Sequence, residues 1–314
     1  MVTWLGAPSV AALREALHEV APQLGGGAIV PRNLVPDAAP EWSAATAVLA
    51  GRYVVKFAWA EPAALRIRHQ VRVLGALKVS APWLALPAVV VASESPALLV
   101  TELAAAVPFF DVRHLVGAGG RARVAQDLGA VLARLHDPDV LAAVSAAAGP
   151  LAAPVMPAAT DALRRGPAAP APDARWERVA AWCDWTDRVL GPAPGRSGLV
   201  HGDFHGGNHL WDERSLRLEL VVDWETAGPA EPEYDLRCLP GDCGMELFGA
   251  VVDAYERVSG AALDRDRIMG WHVRTVLDDV LWRVEAGVPM PDRRTAGEWV
   301  DDLGARLAGF GVGG

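Results

Sequence analysis

The chain has 314 residues, of which 52% are hydrophobic and 21% charged, with a formal net charge of −9. That profile is globular rather than disordered, and the length suits a bilobal or two-domain protein with a sizeable core. The acidic balance argues against a nucleic-acid partner, which needs a basic face, and tolerates cationic ligands better than anionic ones.

Three cysteines (Cys183, Cys238, Cys243) occur without a CxxC pair and read as buried reduced thiols. The opening MVTWLGAPSVAALREALHEV lacks a basic start followed by an apolar run, so no signal peptide is expected. Residues 140–160 carry no charge, but Gly149, Pro150, Pro154 and Pro157 interrupt them, which rejects a membrane span. The expectation is a cytoplasmic protein without a membrane partner.

In chain order, residues 8–23 have amphipathic helical spacing with Ser9 as N-cap, and Gly25-Gly26-Gly27 end that helix. Strands are expected at 28–35 and 44–50, separated by the turn-rich PDAAPEWS. Gly51-Arg52 then leads into a third strand, YVVKFA (53–58), with a single lysine in an apolar run. A helix over 62–77 and two further strands, 85–92 and 97–102, complete an antiparallel sheet with one helix. Residues 1–102 thus form the expected first lobe and 103–314 a larger, mainly helical second one. There, helices are expected at 121–136, 176–190, 244–258, 268–286 and 295–307, with 137–173 a loose alanine- and proline-rich connection. Two short apolar pieces, 199–200 and 218–222, flank the stretch VHGDFHGGNH.

That stretch spaces His201, His205 and His209 four apart, which on a helix would make a metal site. Gly202, Gly206 and Gly207 make such a helix costly, at about 1 kcal/mol each relative to alanine, so the stretch reads as a loop. Asp203 and Asn208 instead have the D-x-x-x-x-N spacing of a kinase catalytic loop. Phosphoryl transfer needs an oriented hydroxyl and cations against the developing charge, and an amide oxygen suits magnesium better than imidazole does. Asp223, at the end of LELVVDWE, is where a strand–turn–strand would return a second carboxylate to the loop. Lys56 would supply positive charge for nucleotide phosphates. Singly, each has a bland alternative: a turn, a strand-end cap, a snorkelling edge lysine.

Together, VHGDFHGGNHLW, VVDWETAGPAEPEYDL, YVVKF and LLVTEL resemble the aminoglycoside phosphotransferase / choline kinase family, from about residue 28 to 303. The resemblance implies an α+β, bilobal protein-kinase-like fold, with a small antiparallel-sheet lobe and a larger helical lobe. It implies an ATP- and Mg2+-dependent kinase of a small-molecule hydroxyl, a class that includes antibiotic-resistance enzymes. By the same resemblance Asp203 is the catalytic base, and Asn208 and Asp223 bind Mg2+. Lys56 contacts the phosphates, the backbone of Thr101, Glu102 and Leu103 receives adenine, and Ser43 of PDAAPEWS joins the nucleotide contacts. His201 becomes structural, and His205 and His209 solvated or substrate-facing.

Two departures stand out. The family places a glutamate in the first-lobe helix to pair with the strand lysine, whereas HQVRVLGAL offers Gln70, and Glu61 lies near the helix start. A neutral partner would hold Lys56 less firmly than a carboxylate. PDAAPEWS also lacks a glycine-rich phosphate cradle.

The acceptor surface is expected on the second-lobe helices. Acids cluster there: Glu231, Glu233, Asp235, Asp242 and Glu246, then Asp278, Asp279 and Glu285, then Asp301 and Asp302. Together they suit a cationic acceptor such as an aminoglycoside or amino sugar; singly, each reads more readily as part of a solvated helix face, with Asp235 a structural partner within the lobe. Trp271, Trp282 and Trp299 recur among them, as core or as stacking platforms. A metabolic kinase of a sugar, choline-like or homoserine-like acceptor, or a silent nucleotide-binding protein, are the alternatives.

Overall fold

The computed structural model describes residues 2–33, 45–166 and 174–312. Helix α1 (Val10–Val20) starts where the Ser9 hydroxyl accepts the Ala12 N–H at 3.1 Å. It buries Leu13, Ala16 and Leu17 against a five-stranded antiparallel sheet. The strands β1 (Ile29–Asn33), β2 (Ala45–Leu49), β3 (Tyr53–Phe57), β4 (Val89–Glu94) and β5 (Ala97–Glu102) lie in the order β1-β2-β3-β5-β4. Strand β4 starts later than its apolar run because Pro87 has no N–H to give a ladder.

Alternation on β3 decides where its lysine goes. Val55 and Phe57 point into the core with α1 and are fully buried, so Lys56 faces the other side of the sheet. On that side lies α2 (Glu61–Ser80), whose start is favoured by Pro62 and the acidic Glu61. Lys56 pairs in register with Leu99 of β5, and Leu99 shares a core with Ile67, Val73 and Leu77 of α2. That core runs on into the helical part of the chain, so α2 is packed on both sides.

After β5 the chain leaves the sheet. Strand β6 (Val107–Pro108) and the short helix α3 (Phe109–Val112) lead to α4 (Ala118–Leu135). Helix α4 crosses α8 (Leu239–Ser259) closely at Gly129, where a Cβ would sit 2.7 Å from the Ala254 methyl. Helix α8 is interrupted at Gly244 (φ 78°, ψ 162°). The connection expected to be loose contains α5 (Pro138–Ala148) and α6 (Thr160–Arg164). Asp137 caps α5 by accepting the Asp139 N–H, and alanine propensity carries it despite the weak apolar periodicity. Helix α7 (Ala174–Leu190) packs on α9 (Arg265–Ala286), and α10 (Ala296–Leu307) opens with a capping box between Thr295 and Glu298.

Between these helices two small sheets hold the motif. Strand β7 (Gly198–Val200) pairs with β10 (Gly228–Ala230), and β8 (His209–Trp211) lies between β6 and β9 (Leu218–Val221). Among the described residues no helix is long and apolar enough to cross a membrane.

Candidate active site

The motif is a loop, not a helix. It leaves β7 at Val200 and re-enters regular structure at His209, the first residue of β8. Its anchor is Asp235, completely buried, which accepts the N–H groups of His201 (2.7 Å) and Gly202 (2.8 Å) and a proton from His136 Nε2 (2.9 Å). Burial alone would raise the Asp235 carboxyl, but the His136 hydrogen bond and its other donors hold it below the usual carboxylate range. Asp235 is thus the structural partner anticipated from sequence. Gly202 adopts φ +84°, and the carbonyl of Thr226 occupies the space a Cβ would need, so only glycine fits.

Each histidine is committed to a different task. His201 is buried; its Nε2 donates to the Val222 carbonyl at 2.8 Å and its Nδ1 accepts the Asp203 N–H at 3.2 Å. His209 Nδ1 accepts the Trp211 indole N–H at 2.8 Å, and its ring packs on Phe204 with centroids 5.0 Å apart. Burial pushes its pKa down to about 3. His205 Nδ1 accepts the Gly207 N–H at 3.0 Å, leaving Nε2 3.5 Å from Asp203 Oδ2. Among the described residues no three His, Cys, Asp or Glu side chains form a metal cluster. The solvated or substrate-facing role expected for His209 does not hold, because its ring is inaccessible. His205 is partly exposed, beside Asp203.

Asp203 keeps 44% of its side chain exposed. Burial would raise its carboxyl, but the hydrogen bond and charge of His205, with Arg237 (3.9 Å) and His201, hold it well below the usual range. It is an ionised acceptor open to solvent. Asn208 joins it to the second carboxylate. The Asn208 Nδ2 donates to the Asp203 carbonyl (2.8 Å) and Oδ2 (3.2 Å), and the Asn208 carbonyl accepts the Val222 N–H at 2.8 Å. With His209 opposite Val221 in the β8–β9 ladder and the Val222 N–H on Asn208, Asp223 follows one residue beyond that hydrogen bond. Asp223 itself is left-handed (φ 67°, ψ 58°), a conformation aspartate tolerates better than most residues.

Lys56 reaches this point from β3. Its Nζ lies 2.5 Å from Asp223 Oδ1 and 3.4 Å from Glu225 Oε2. Burial would lower its pKa, but Asp223 and Glu225 more than offset that and raise it. Neither Gln70 nor Glu61 is the lysine's partner. Gln70 is buried on α2 with its Oε1 accepting no hydrogen bond. The helix contributes a cation instead: Arg66 Nε lies 3.4 Å from Glu225 Oε1. His69, also on α2, contacts the Ala227 carbonyl through Nε2 at 2.7 Å. The expectation of a weakly held Lys56 is therefore corrected: its carboxylates come from the segment after β9.

Thr101 and Glu102 end β5, and Leu103 follows, 41% exposed. The Glu102 N–H is bound to the Ala88 carbonyl (2.9 Å) and the Leu103 N–H to that of Arg52 (2.8 Å), so neither is available to a ligand. Ser43 lies outside the described residues. Sequence reasoning missed Glu225, Arg66 and Arg237. Glu225 stood in the quoted D-W-E, but its pairing depends on which face of α2 meets that turn.

Comparison with known proteins bears on the family and the fold. A hydroxyurea phosphotransferase from Kitasatospora aureofaciens is 30% identical over 194 residues, 54% of this chain and 53% of its own. The chain thus spans about half the length of that relative. Among solved structures, an aminoglycoside 2'-phosphotransferase in its GDP complex superposes with TM-score 0.73 at 15% identity, covering 96% of this chain and 98% of its own. A macrolide 2'-phosphotransferase type I gives 0.61 at 19%, with coverages of 96% and 98%. Both have the kinase-like fold expected from the motifs. The family described as "Phosphotransferase enzyme family" matches residues 38–271, and the chain belongs to it.

Proposed function

We propose that this phosphotransferase moves the γ-phosphoryl group of ATP to a hydroxyl of a small-molecule acceptor. Asp203 takes the hydroxyl proton as the acceptor oxygen bonds to phosphorus and the bond from phosphorus to the β–γ bridging oxygen breaks, releasing ADP. The observation that carries this reading is the Asn208 side chain. Its amide NH2 is spent on Asp203, which turns its oxygen away from the base and leaves it free for a cation next to Asp223. The Asp223 carboxylate already faces a cation, the Lys56 ammonium. An amide oxygen and a carboxylate suit Mg2+, which when bound would neutralise charge on the transferring phosphates.

Lys56 would contact the phosphates, held in place by Glu225, while Asn208 and Asp223 would hold the ion. Adenine lies beside Thr101, Glu102 and Leu103, but its contacts come from carbonyls or from backbone beyond Leu103, since two N–H groups there are engaged. On this reading the nucleotide binds between a lobe ending at Glu102 and the helical remainder. A silent nucleotide-binding protein would need Lys56 and Asp223, but not an ionised, half-exposed Asp203, so catalysis is favoured. Whether the acceptor is a natural-product antibiotic or a metabolite, the test is ADP release from Mg-ATP across a panel of hydroxyl compounds. Tight Mg-ATP binding without any transfer would favour the silent reading.

A further inference from the structure

The acids that suit a cationic acceptor in the sequence are largely engaged within the chain. Glu231 is buried between Arg267 (Nη2 to Oε2, 2.7 Å) and the Trp271 indole N–H. Glu246 pairs with Arg121, Asp279 with Arg283 (2.9 Å), Asp301 with Arg178 (2.8 Å), and Asp302 with Arg294. Glu233 accepts the Asp264 N–H at 3.2 Å, and Asp235 holds the catalytic loop. Most of these acids thus already have a partner within the chain.

The wall next to Asp203 has a different character. The His205 ring stacks on Phe110, with centroids 6.1 Å apart and planes 17° apart. The Arg113 guanidinium lies 5.5 Å from the centre of the same Phe110 ring and donates to the Asp242 carbonyl at 3.3 Å. Phe110 stays 39% exposed, and it abuts Gly206, where a Cβ would meet the ring at 2.7 Å. Asp242 spends one carboxylate oxygen on the Gly206 N–H at 2.8 Å. Two carboxylates here, Asp203 and Asp242, already have basic neighbours: His205 and Arg237 beside Asp203, and Arg113 on the Asp242 backbone. An exposed aromatic face edged by cations gives an ammonium group no net attraction.

We propose that the acceptor is an uncharged small molecule, whose hydroxyl meets Asp203 while its apolar or planar part lies on Phe110, and that polycations are excluded. This rests on the phosphotransfer reading above.

The test begins with calorimetric titration of Mg-ADP into the full chain. Failure to bind would sink the phosphotransfer reading itself, separately from the acceptor claim. Kanamycin and gentamicin are then titrated into protein loaded with Mg2+ and a non-hydrolysable ATP analogue, at low and high salt. The expected result is no saturable binding below about 1 mM, and faster ADP release with hydroxyurea than with kanamycin. Binding at about 100 µM or tighter, weakening roughly tenfold with salt, would overturn the proposal, as would preferred transfer to kanamycin. If neither compound accepts phosphate, the titration decides. A charge reversal, Arg113→Glu, should strengthen kanamycin binding about tenfold or more; unchanged affinity would also overturn it.

Discussion

Glu225→Gln should weaken Mg-nucleotide binding about tenfold. Lys56 Nζ lies 3.4 Å from the Glu225 carboxylate, and both side chains are largely buried, at 17% and 15% exposed. With an effective dielectric of about 20, the gross attraction is roughly 5 kcal/mol. Most of that is cancelled, because removing a buried charge also removes its desolvation cost. Glutamine keeps a neutral hydrogen bond, so the net loss is the charge-assisted part, about 1–1.5 kcal/mol or tenfold in Kd. The effect should fall on nucleotide affinity more than on kcat, since Glu225 holds Lys56 rather than the reacting hydroxyl. Arg66→Ala should act through the same carboxylate, so the double variant loses less than the sum of the singles. Gln70→Ala should change affinity by less than about twofold, because Gln70 Oε1 binds nothing. Titration of Mg-ADP into the parent and each of these variants, with Glu61→Ala alongside, measures all of this. If Gln70→Ala or Glu61→Ala weakens binding as much as Glu225→Gln, or Glu225→Gln has no effect, the reasoning is refuted.

Asp223→Ala should weaken binding of Mg-ADP far more than of metal-free ADP, read from paired titrations with and without EDTA; equal losses would remove the metal role. Asp242 supplies a pH test. Burial pushes its carboxyl up to about 6, above the ordinary unfolded value, so its favourable contribution is complete at low pH and lost as pH rises through about 6. Asp242→Asn, which can still accept the Gly206 N–H, should match the parent near pH 4 and exceed it at pH 8 by about 1–2 kcal/mol after allowance for screening. A pH-independent difference in urea midpoints would contradict the assignment. Gly202→Ala should cost about 3 kcal/mol or more, from left-handed strain plus the Thr226 carbonyl, whereas Gly51→Ala, at φ +64° in open space, should cost about 1. Equal costs would mean that the catalytic loop gives way to Thr226.

The geometry of the proposed catalytic loop was legible because its parts are close in sequence. H-G-D-x-x-x-x-N fixes Asp203 against Asn208 within one turn, and the β8–β9 hairpin brings Asp223 back by local pairing. Strand alternation likewise set Lys56 apart from Val55 and Phe57. The partner of Lys56 was not legible. It depends on how α2 is rotated against the segment after β9, which residue spacing within α2 does not encode; Arg66 and His69, not a glutamate, ended on that face. Helices α5 and α6 were missed because alanine carries propensity without periodicity, although Asp137-Pro138 was a start signal. The pairing of the acidic clusters was not legible for a related reason. Arginines distant in sequence neutralise them, as Arg175 and Arg178 do for Asp301.

The central claim, that Asp203 is the base of a phosphoryl transfer, is tested most directly by Asp203→Asn. The replacement is nearly isosteric, retains an acceptor oxygen for Asn208, and touches no group assigned to the nucleotide. Single-turnover transfer from Mg-ATP to whichever acceptor the panel identifies should fall by about 10²–10⁴, while the Kd for Mg-ADP changes by less than about threefold. A variant that keeps more than roughly a tenth of the parent rate, with nucleotide binding intact, would contradict the assignment.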